Sequence, residues 1–319
     1  MANFGPHTTG KQVVETFIEQ VQGKTFVITG PSADSIGAET AISLAYGSPA
    51  KILLLGRDGD KIQPVADHIK IISPDTIVMP IQVSLDSLRN VREAAIQILD
   101  DDSIPKIDVL INNAGIMAAP YTLTEDNIES HFQVNHLAHF LLTNLLRPKL
   151  TSANSLRRVV NTSSYGNIFS NIPTSPTFEN GQSYNPWLAY GASKTANILH
   201  AVALNSKFNN QGLKAFAVNP GSVPTNLRRY ITDETMQSGM ALHKQFGVTP
   251  PARKTLQEGC ATALRAALDP DLSVSGGIFL DDCNVTTDGK VVAGYALDVA
   301  NAERCWELSE RLVGQSIQQ

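Results

Sequence analysis

The chain has 319 residues, of which 42% are hydrophobic, 17% charged and 6% aromatic, which is the composition of an ordinary folded protein. Its 25 Lys and Arg residues against 30 Asp and Glu residues give a net charge of -5, so the chain lacks the overall positive charge typical of nucleic-acid-binding proteins. Nucleic acid is therefore not expected as a partner. No stretch reaches the roughly 18 consecutive apolar residues that span a bilayer, so a transmembrane segment is not expected.

Cysteine usage and the N-terminus bear on compartment and metal content. Cys260, Cys283 and Cys305 are odd in number and far apart, which argues against a disulfide framework and against a zinc site, so no metal is expected. Residues 1–11 have neither the basic nor the apolar part of a secretory signal. We therefore expect a cytoplasmic protein.

Taken in chain order, a predicted extra helix over residues 9–22, within an N-terminal region 1–22, precedes a regular alternation of strands and helices. Strands are predicted at 25–29, 51–55, 76–81, 107–112, 158–162, 214–218 and 277–280. Helices are predicted at 37–46, 59–71, 85–99, 126–147, 186–209 and 257–268, with a last helix at 300–312. Several strands are continuous apolar runs, as in strands buried on both faces. The pattern predicts an α/β doubly wound parallel sheet in a single domain over residues 1–319.

Two long connections interrupt the alternation. Residues 165–185 follow the fifth strand and residues 222–254 follow the sixth. Both leave the carboxyl ends of strands, where open α/β sheets place their ligands. We interpret both, together with residues 120–124, as regions that shape a substrate pocket.

The turn after the first strand has the features of a phosphate-binding loop. Residues 29–38 read TGPSADSIGA and open a helix, whose first N–H groups and positive dipole end favour a pyrophosphate. The spacing departs from the usual three-glycine pattern, since one residue is inserted and Ser35 stands where a middle glycine is expected. The predicted cofactor contacts in this turn are Gly30, Ser32, Ser35, Ile36 and Gly37.

The end of the second strand favours one dinucleotide over the other. An acid there would bind the ribose 2′-hydroxyl of NAD, but glycine occupies position 56 and Arg57 follows. Arg57 can pair with a 2′-phosphate, so NADP(H) is predicted and NAD(H) is the less favoured cofactor. The alternative is an ordinary surface arginine, with Asp58 or Asp60 capping the next helix.

Tyr190 and Lys194 lie four residues apart in a helix that Asn185 is expected to cap, and therefore share a face. Lowering a tyrosine pKa from about 10 by about 3 units takes roughly 4 kcal/mol. An ammonium about 4 Å away supplies a similar energy at an effective dielectric constant of about 20. Such a pair is common by chance, so it indicates a proton shuttle only together with other residues.

Those other residues follow the neighbouring strands. Ser164 ends the fifth strand, where a hydroxyl can polarise a carbonyl. Asn135 lies in the middle of the 126–147 helix, either as a buried amide with partners or as a capped or solvated side chain. The predicted cofactor contacts after the fourth and sixth strands are Asn113, Ala114, Gly115, Pro220, Gly221, Val223 and Thr225.

Together these motifs resemble the short-chain dehydrogenase/reductase superfamily over about residues 23–285. Within it, the chain is similar to the retinol dehydrogenase/WW-domain oxidoreductase-like group as represented by fungal reductases. The closer match is carried by QGKT at 22–25, YNPW at 184–187, AYGASKTANIL at 189–199 and AERCWELS at 302–309. The corresponding fold is a Rossmann-type sheet of seven strands in the order 3-2-1-4-5-6-7, with helices on both faces.

The resemblance implies a catalytic tetrad of Asn135, Ser164, Tyr190 and Lys194. In the family's mechanism Tyr190 is the general acid/base, Lys194 holds the nicotinamide ribose, Ser164 orients the substrate oxygen and Asn135 fixes a water. Tyr190 and Lys194 thereby also count as cofactor contacts. Gln82 stands where the family often has an acid at the adenine, and we keep Gln82 and Val83 as cofactor contacts.

The prediction is an NADP(H)-dependent oxidoreductase that interconverts a carbonyl and an alcohol on a bulky, largely apolar small molecule. A polyketide, terpenoid, steroid or retinoid-like compound in secondary metabolism fits the family. The alternative is a non-catalytic NADP-binding regulator or scaffold protein, which the altered turn at Ser35 favours and the intact tetrad disfavours. The family also suggests a homodimer formed through helices 126–147 and 186–209, which the extra terminal elements could block.

Overall fold

The computed structural model describes residues 3–151, 157–249, 251–274 and 276–317. Met1 and Ala2 of the predicted region 1–22, and Pro250 of the predicted region 222–254, lie outside these ranges, as do residues 152–156, 275 and 318–319 of the predicted domain.

Within the described ranges, eight strands form one central sheet in the order β3-β2-β1-β4-β5-β6-β7-β8. The strands are β1 (Thr25–Thr29), β2 (Lys51–Gly56), β3 (Ile77–Gln82), β4 (Val109–Asn112), β5 (Arg157–Thr162), β6 (Leu213–Asn219), β7 (Phe279–Asp281) and β8 (Asn284–Val285). All neighbours from β3 to β7 are parallel, and β8 pairs with β7 antiparallel. The predicted doubly wound fold and strand order are confirmed. The additional β8 escaped prediction because two residues carry no periodic signal.

Helices cover both faces of this sheet. They are α1 (Gly10–Thr16), α2 (Ile36–Ala45), α3 (Gly59–Ile72), α4 (Leu88–Asp100), α5 (Ser130–Phe132), α6 (Ala138–Leu150), α7 (Pro186–Phe208), α8 (Asp233–Gln245), α9 (Leu256–Leu268) and α10 (Val299–Val313). Apolar residues of α4, α6, α7 and α10 pack on one face, and those of α1, α2, α3 and α9 pack on the other. Burial on both faces explains the continuous apolar runs of the central strands.

The predicted helix over residues 9–22 is shorter in the structure. Thr9 caps α1, because its hydroxyl accepts the Gln12 N–H while the Gln12 side chain accepts the Thr9 N–H. A short 3₁₀ turn at Ile18–Gln20 completes the segment. Buried Val13 and Val14 fix the segment to the sheet layer on the α9 side.

The predicted helix over residues 126–147 begins later and is not uniform. Glu129 caps the short α5 with its carboxylate, which accepts the N–H groups of His131 and Phe132. A π-helical turn at Gln133–Leu137 then joins α5 to α6. π turns occur preferentially at functional sites, and Asn135 lies in this one.

The connection at 222–254 contains α8, which was not predicted as a helix. Thr232 and Thr235 form its capping box. Gly239 is the buried residue of α8, whereas Met240 is 60% exposed. A helix without a wide buried stripe gives little helical periodicity, so its sequence reads as a loop.

Candidate active site

A cleft of about 1020 Å³ opens at the carboxyl ends of the central strands. Most predicted site residues line it: Gly30, Ser32, Ser35, Ile36, Arg57, Val83, Asn113, Ala114, Gly115, Ser164, Tyr190, Lys194, Pro220, Gly221, Val223 and Thr225. Gly37, Gln82 and Asn135 are not among the lining residues.

The altered glycine turn is closed by Ser35. Its hydroxyl caps α2 by accepting the Ala38 N–H at 3.1 Å and donates to the Gly30 carbonyl at 3.1 Å. The preceding Asp34 takes the left-handed conformation, with φ 60°, which suits the inserted residue. A Cβ on Gly37 would lie 2.5 Å from the Gly30 oxygen, so glycine is required there. The turn therefore keeps a free helix N-terminus despite its unusual spacing.

A second turn, at residues 113–115, lies directly against the first. The Thr29 hydroxyl accepts the N–H groups of Asn113 at 2.9 Å and of Ala114 at 3.0 Å. A Cβ on Gly30, whose φ is +70°, would lie 2.9 Å from the Ala114 Cα. These contacts hold the two turns side by side and leave no room for larger residues between them.

Arg57 is exposed at the rim of the cleft, beyond Gly56. Its neighbour Asp58 caps α3 and pairs with Lys61 at 3.1 Å, as the alternative interpretation of this segment expected. In the described ranges, no ion pair engages the Arg57 guanidinium, which leaves it free to bind an anion. Gln82 is exposed and its amide donates to the Arg57 carbonyl at 3.4 Å, so it lies beside the cleft rather than in its wall.

Tyr190 and Lys194 project from α7, whose N-terminus Asn185 caps by accepting two backbone N–H groups. The Ser164 hydroxyl lies close enough to the Tyr190 hydroxyl to lower its pKa. The Lys194 Nζ donates to the Thr162 carbonyl at 3.0 Å and lies 5.6 Å from the centre of the Tyr190 ring. The structure thus brings the three predicted catalytic side chains together at one point of the cleft.

The protonation of this pair differs from the sequence-based expectation. Burial raises the pKa of Tyr190 to about 12, and the hydrogen bond from Ser164 offsets this only in part. Burial also lowers the pKa of Lys194 to about 8. Desolvation of the phenol dominates because the ammonium is directed to the Thr162 carbonyl and not to the Tyr190 hydroxyl. Tyr190 is consequently a neutral proton donor at pH 7.

Asn135 is fully buried beneath the cleft. Its amide nitrogen donates to the Ile116 carbonyl at 3.0 Å and to Ser193 Oγ at 2.9 Å, and its amide oxygen accepts the Ile116 N–H at 2.8 Å. Of the two interpretations, the structure shows the buried amide with partners. Asn135 ties the π turn to α7 one residue before Lys194.

The other half of the cleft is covered by residues from the connection at 222–254, here called the cap. The Trp187 indole donates to the Thr235 carbonyl of α8 at 2.7 Å, and its ring packs on Gly239. His243 of α8 contacts Phe169 edge to face, with ring centroids 5.1 Å apart. Trp187, Phe169 and His243 line the cleft and were not predicted individually. The clearest sequence signal was Trp187, in the YNPW segment.

The connection at 165–185 contributes less to the cleft than predicted. Tyr165, Gly166 and Phe169 line the cleft, whereas the later part of the connection does not. Instead, the Tyr184 hydroxyl donates to the Ala119 carbonyl at 2.6 Å, and the Tyr184 ring packs against the rings of Tyr121 and Phe178. Most of this predicted substrate region therefore supports residues 119–131 from behind.

Comparisons with known proteins give the same picture. The sequence model of the family described as "short chain dehydrogenase" matches residues 24–236. The short-chain dehydrogenase/reductase prx1 of Penicillium roqueforti is 33% identical over 312 residues, covering 94% of this chain and 87% of that protein. Retinol dehydrogenase 11 of Homo sapiens is 35% identical over 301 residues, covering 93% and 88%.

Solved structures share the fold over most of their length. The crystal structure of an uncharacterized protein from Mycobacterium paratuberculosis has a TM-score of 0.66 and 30% identity, covering 93% of this chain and 96% of that one. A Burkholderia cenocepacia short chain dehydrogenase in complex with NADP has a TM-score of 0.61 and 22% identity, covering 82% and 97%. Among the described helices, none has the length and hydropathy needed to cross a bilayer. The chain belongs to the short-chain dehydrogenase family, with retinol dehydrogenases and fungal dehydrogenase/reductases among its relatives.

Proposed function

We propose that the chain is an NADP(H)-dependent oxidoreductase that interconverts a carbonyl and an alcohol on a bulky, largely apolar small molecule. The observation that carries the proposal is the placement of the Ser164 and Tyr190 hydroxyl groups and the Lys194 ammonium together, in the same cleft as the glycine turn. A protein that only binds a dinucleotide needs no such pair of hydroxyl groups.

The residues present fit a dinucleotide. The first turn offers unpaired N–H groups at the start of α2, the feature that binds phosphate in many proteins. Gly30 and Gly37 leave space that a Cβ would fill. Arg57 supports NADP over NAD because it provides a bidentate cation where an acid would favour NAD. The NADP complex of the Burkholderia relative supports the same choice through the shared fold.

The nicotinamide group, when bound, supplies or accepts a hydride at the substrate carbon. The chain's own side chains manage the proton. In reduction, neutral Tyr190 donates its hydroxyl proton to the carbonyl oxygen, and Ser164 hydrogen-bonds the same oxygen and orients it. Lys194 would hold the nicotinamide ribose and stabilise the tyrosinate left behind. Asn135 keeps the π turn and α7 in register. Alcohol oxidation reverses these proton transfers.

The side chains around the cap favour an apolar substrate. Leu227 and Met236 of the cap, together with Phe169 and Trp187 beside it, line the cleft and present mostly hydrocarbon surface. The relative retinol dehydrogenase 11, whose name gives an apolar alcohol as substrate, favours the same class. A role in secondary metabolism, a cytoplasmic location and a homodimer remain predictions.

The test is to titrate the purified protein with NADPH and NADH by fluorescence and then to assay a panel of apolar aldehydes and ketones. We expect preferential NADPH binding and turnover of at least one compound. Tyr190→Phe should reduce kcat by about a thousandfold or more while leaving the NADPH Kd within about threefold, because it removes only the transferred proton. NADPH binding without turnover on any compound would favour the regulator. Failure to bind either nucleotide would overturn the proposal.

A further inference from the structure

Asp281 joins two walls of the candidate active site from outside the cleft. It is the last residue of β7, is partly buried, and is not among the residues that line the cleft. One carboxylate oxygen accepts the Tyr165 hydroxyl at 2.9 Å, and the other accepts the Asn219 amide at 2.7 Å. The two partners lie at the ends of different strands. Tyr165 is in the connection that follows β5, and Asn219 is the last residue of β6. No motif in the sequence singled out this carboxylate.

The first bond reaches the turn that carries Ser164. Tyr165 follows Ser164 directly, and the 3₁₀ turn that starts there is capped by the Ser164 hydroxyl, which accepts the Gly166 N–H at 3.2 Å. Gly166 lies against the Tyr190 ring, where an added Cβ would be 2.9 Å from a ring carbon. A shift of this turn would therefore move Ser164 relative to Tyr190.

The second bond reaches the turn after β6. The Asn219 amide oxygen accepts the Gly221 N–H at 3.2 Å, while its nitrogen donates to Asp281. Both ends of the Asn219 side chain are thus committed. Gly221 has a φ of +79°, so this turn depends on a conformation that few other residues adopt. Pro220 and Gly221 line the cleft and are among the predicted cofactor contacts.

We propose that Asp281 is a positioning residue that holds the Ser164 turn and the Gly221 turn at the separation required for the reaction. The inference rests on the proposed function, since it concerns where the substrate oxygen is held relative to the hydride-transferring ring. A carboxylate suits this role because it is acceptor-only and receives two donors at once. An amide in its place offers one acceptor oxygen and turns an N–H group toward one of the two donors.

Opposing influences act on the Asp281 carboxylate. Burial and the adjacent Asp282 raise its pKa, and the bonds from Asn219 and Tyr165 and the charge of Lys254 offset this rise only in part. The phenol of Tyr165 is in turn held protonated, because burial and Asp281 raise its pKa. Tyr165 is therefore a fixed donor in this contact.

The test is Asp281→Asn in the full chain, assayed with NADPH and the best compound of the panel. We expect kcat to fall about tenfold to a hundredfold, with the NADPH Kd changed less than about threefold, because most predicted nucleotide contacts lie beyond these two turns. The deuterium isotope effect with C4-labelled NADPH should increase, since misplacement slows the hydride step itself. Asp288→Asn, which removes an exposed negative charge in the same region, should leave kcat and the isotope effect unchanged.

Tyr165→Phe removes only the hydrogen bond from Tyr165 to Asp281 and keeps the one from Asn219. It also keeps the Asp281 carboxylate, so it tests the proposal even if Asp281→Asn fails to fold. It should lower kcat by about threefold to tenfold, and the double variant Tyr165→Phe with Asp281→Asn should be no slower than Asp281→Asn alone, because both remove the same contact. Unchanged kcat in both single variants, or an isotope effect that stays constant while the melting temperature falls, would overturn the positioning role. A wild-type protein that turns over no compound would instead defeat the proposed function.

Discussion

The two halves of the cleft are built on different principles. The nucleotide half is formed by backbone at strand ends, where the turns at Gly30 and Ala114 touch and the Thr29 hydroxyl bonds across them. The cap half rests on a helix that buries only Gly239 and leaves Met240 60% exposed. The first half tolerates few substitutions because its contacts involve main-chain atoms. The second can vary its side chains, which is where relatives on one fold come to accept different substrates.

The largest effect on nucleotide binding should come from Gly37→Val in the nucleotide half. Its Cβ would lie 2.5 Å from the Gly30 oxygen, so the turn must open. We expect the NADPH Kd to rise by at least about a hundredfold, roughly 3 kcal/mol, as measured by fluorescence titration. Gly59→Ala, at a glycine where an added Cβ would meet nothing within 4 Å, should bind NADPH normally. Normal NADPH binding by the Gly37 variant would show that the turn tolerates substitution as well as the cap does, and would contradict the comparison.

Lys194→Met should stabilise the fold while abolishing turnover. Burial lowers the pKa of Lys194 to about 8 from 10.5, so the folded protein binds this proton less tightly than the unfolded chain does. The charged lysine therefore opposes folding below about pH 8, and this penalty fades as the pH rises from about 8 to 10.5. The variant should gain up to roughly 3 kcal/mol at pH 7 by urea unfolding, and less at pH 10.

A matched control for this prediction is Lys70→Met, which replaces an exposed lysine at the end of α3. Its stability should stay within about 0.5 kcal/mol of the wild type at both pH values. If both variants gained the same free energy of unfolding, the gain would come from replacing any lysine by methionine and not from the buried charge of Lys194. A destabilised Lys194 variant would mean that the bond to the Thr162 carbonyl outweighs the burial of the charge.

Arg57→Gln should alter nucleotide preference rather than turnover. Loss of a charge-assisted bond to the 2′-phosphate should weaken NADPH by about tenfold to thirtyfold and leave the NADH Kd unchanged. Lys61→Gln, which removes the exposed cation that pairs with Asp58, should affect both nucleotides equally and weakly. If Arg57→Gln weakened NADH as much as NADPH, the arginine would not be reading the 2′-phosphate.

The smallest effect should come from the cap. Met240→Ser, at an exposed position near the end of α8, should change the free energy of unfolding by no more than about 0.5 kcal/mol and kcat/KM by less than about twofold, because the side chain is already largely in water. Met236→Ser, one turn earlier and lining the cleft, should raise KM for an apolar substrate. Equal behaviour of the two methionines would contradict the assignment of Met236 to the wall of the cleft.

Sequence reasoning predicted the sheet and the positions of Ser164, Tyr190 and Lys194, because buried parallel strands and a long helix with a clear N-cap leave strong local patterns. It did not predict the raised pKa of Tyr190, since desolvation depends on every neighbour in space. It also could not find Asp281, whose two partners lie 116 and 62 residues away. Nor could it find α8, which buries too little to show a period.

The two edge strands of the sheet limit how this chain can associate with further copies of itself. At one edge, β3 carries Pro80, which has no N–H to offer to a further strand. At the other edge, β8 turns back on β7 and spans only two residues. Neither edge offers the long, open row of donors and acceptors through which sheets of separate molecules fuse into fibres. Pairing of sheet edges is therefore an unfavourable route to a homodimer of this chain, and crowded chains are protected from aggregating by strand addition.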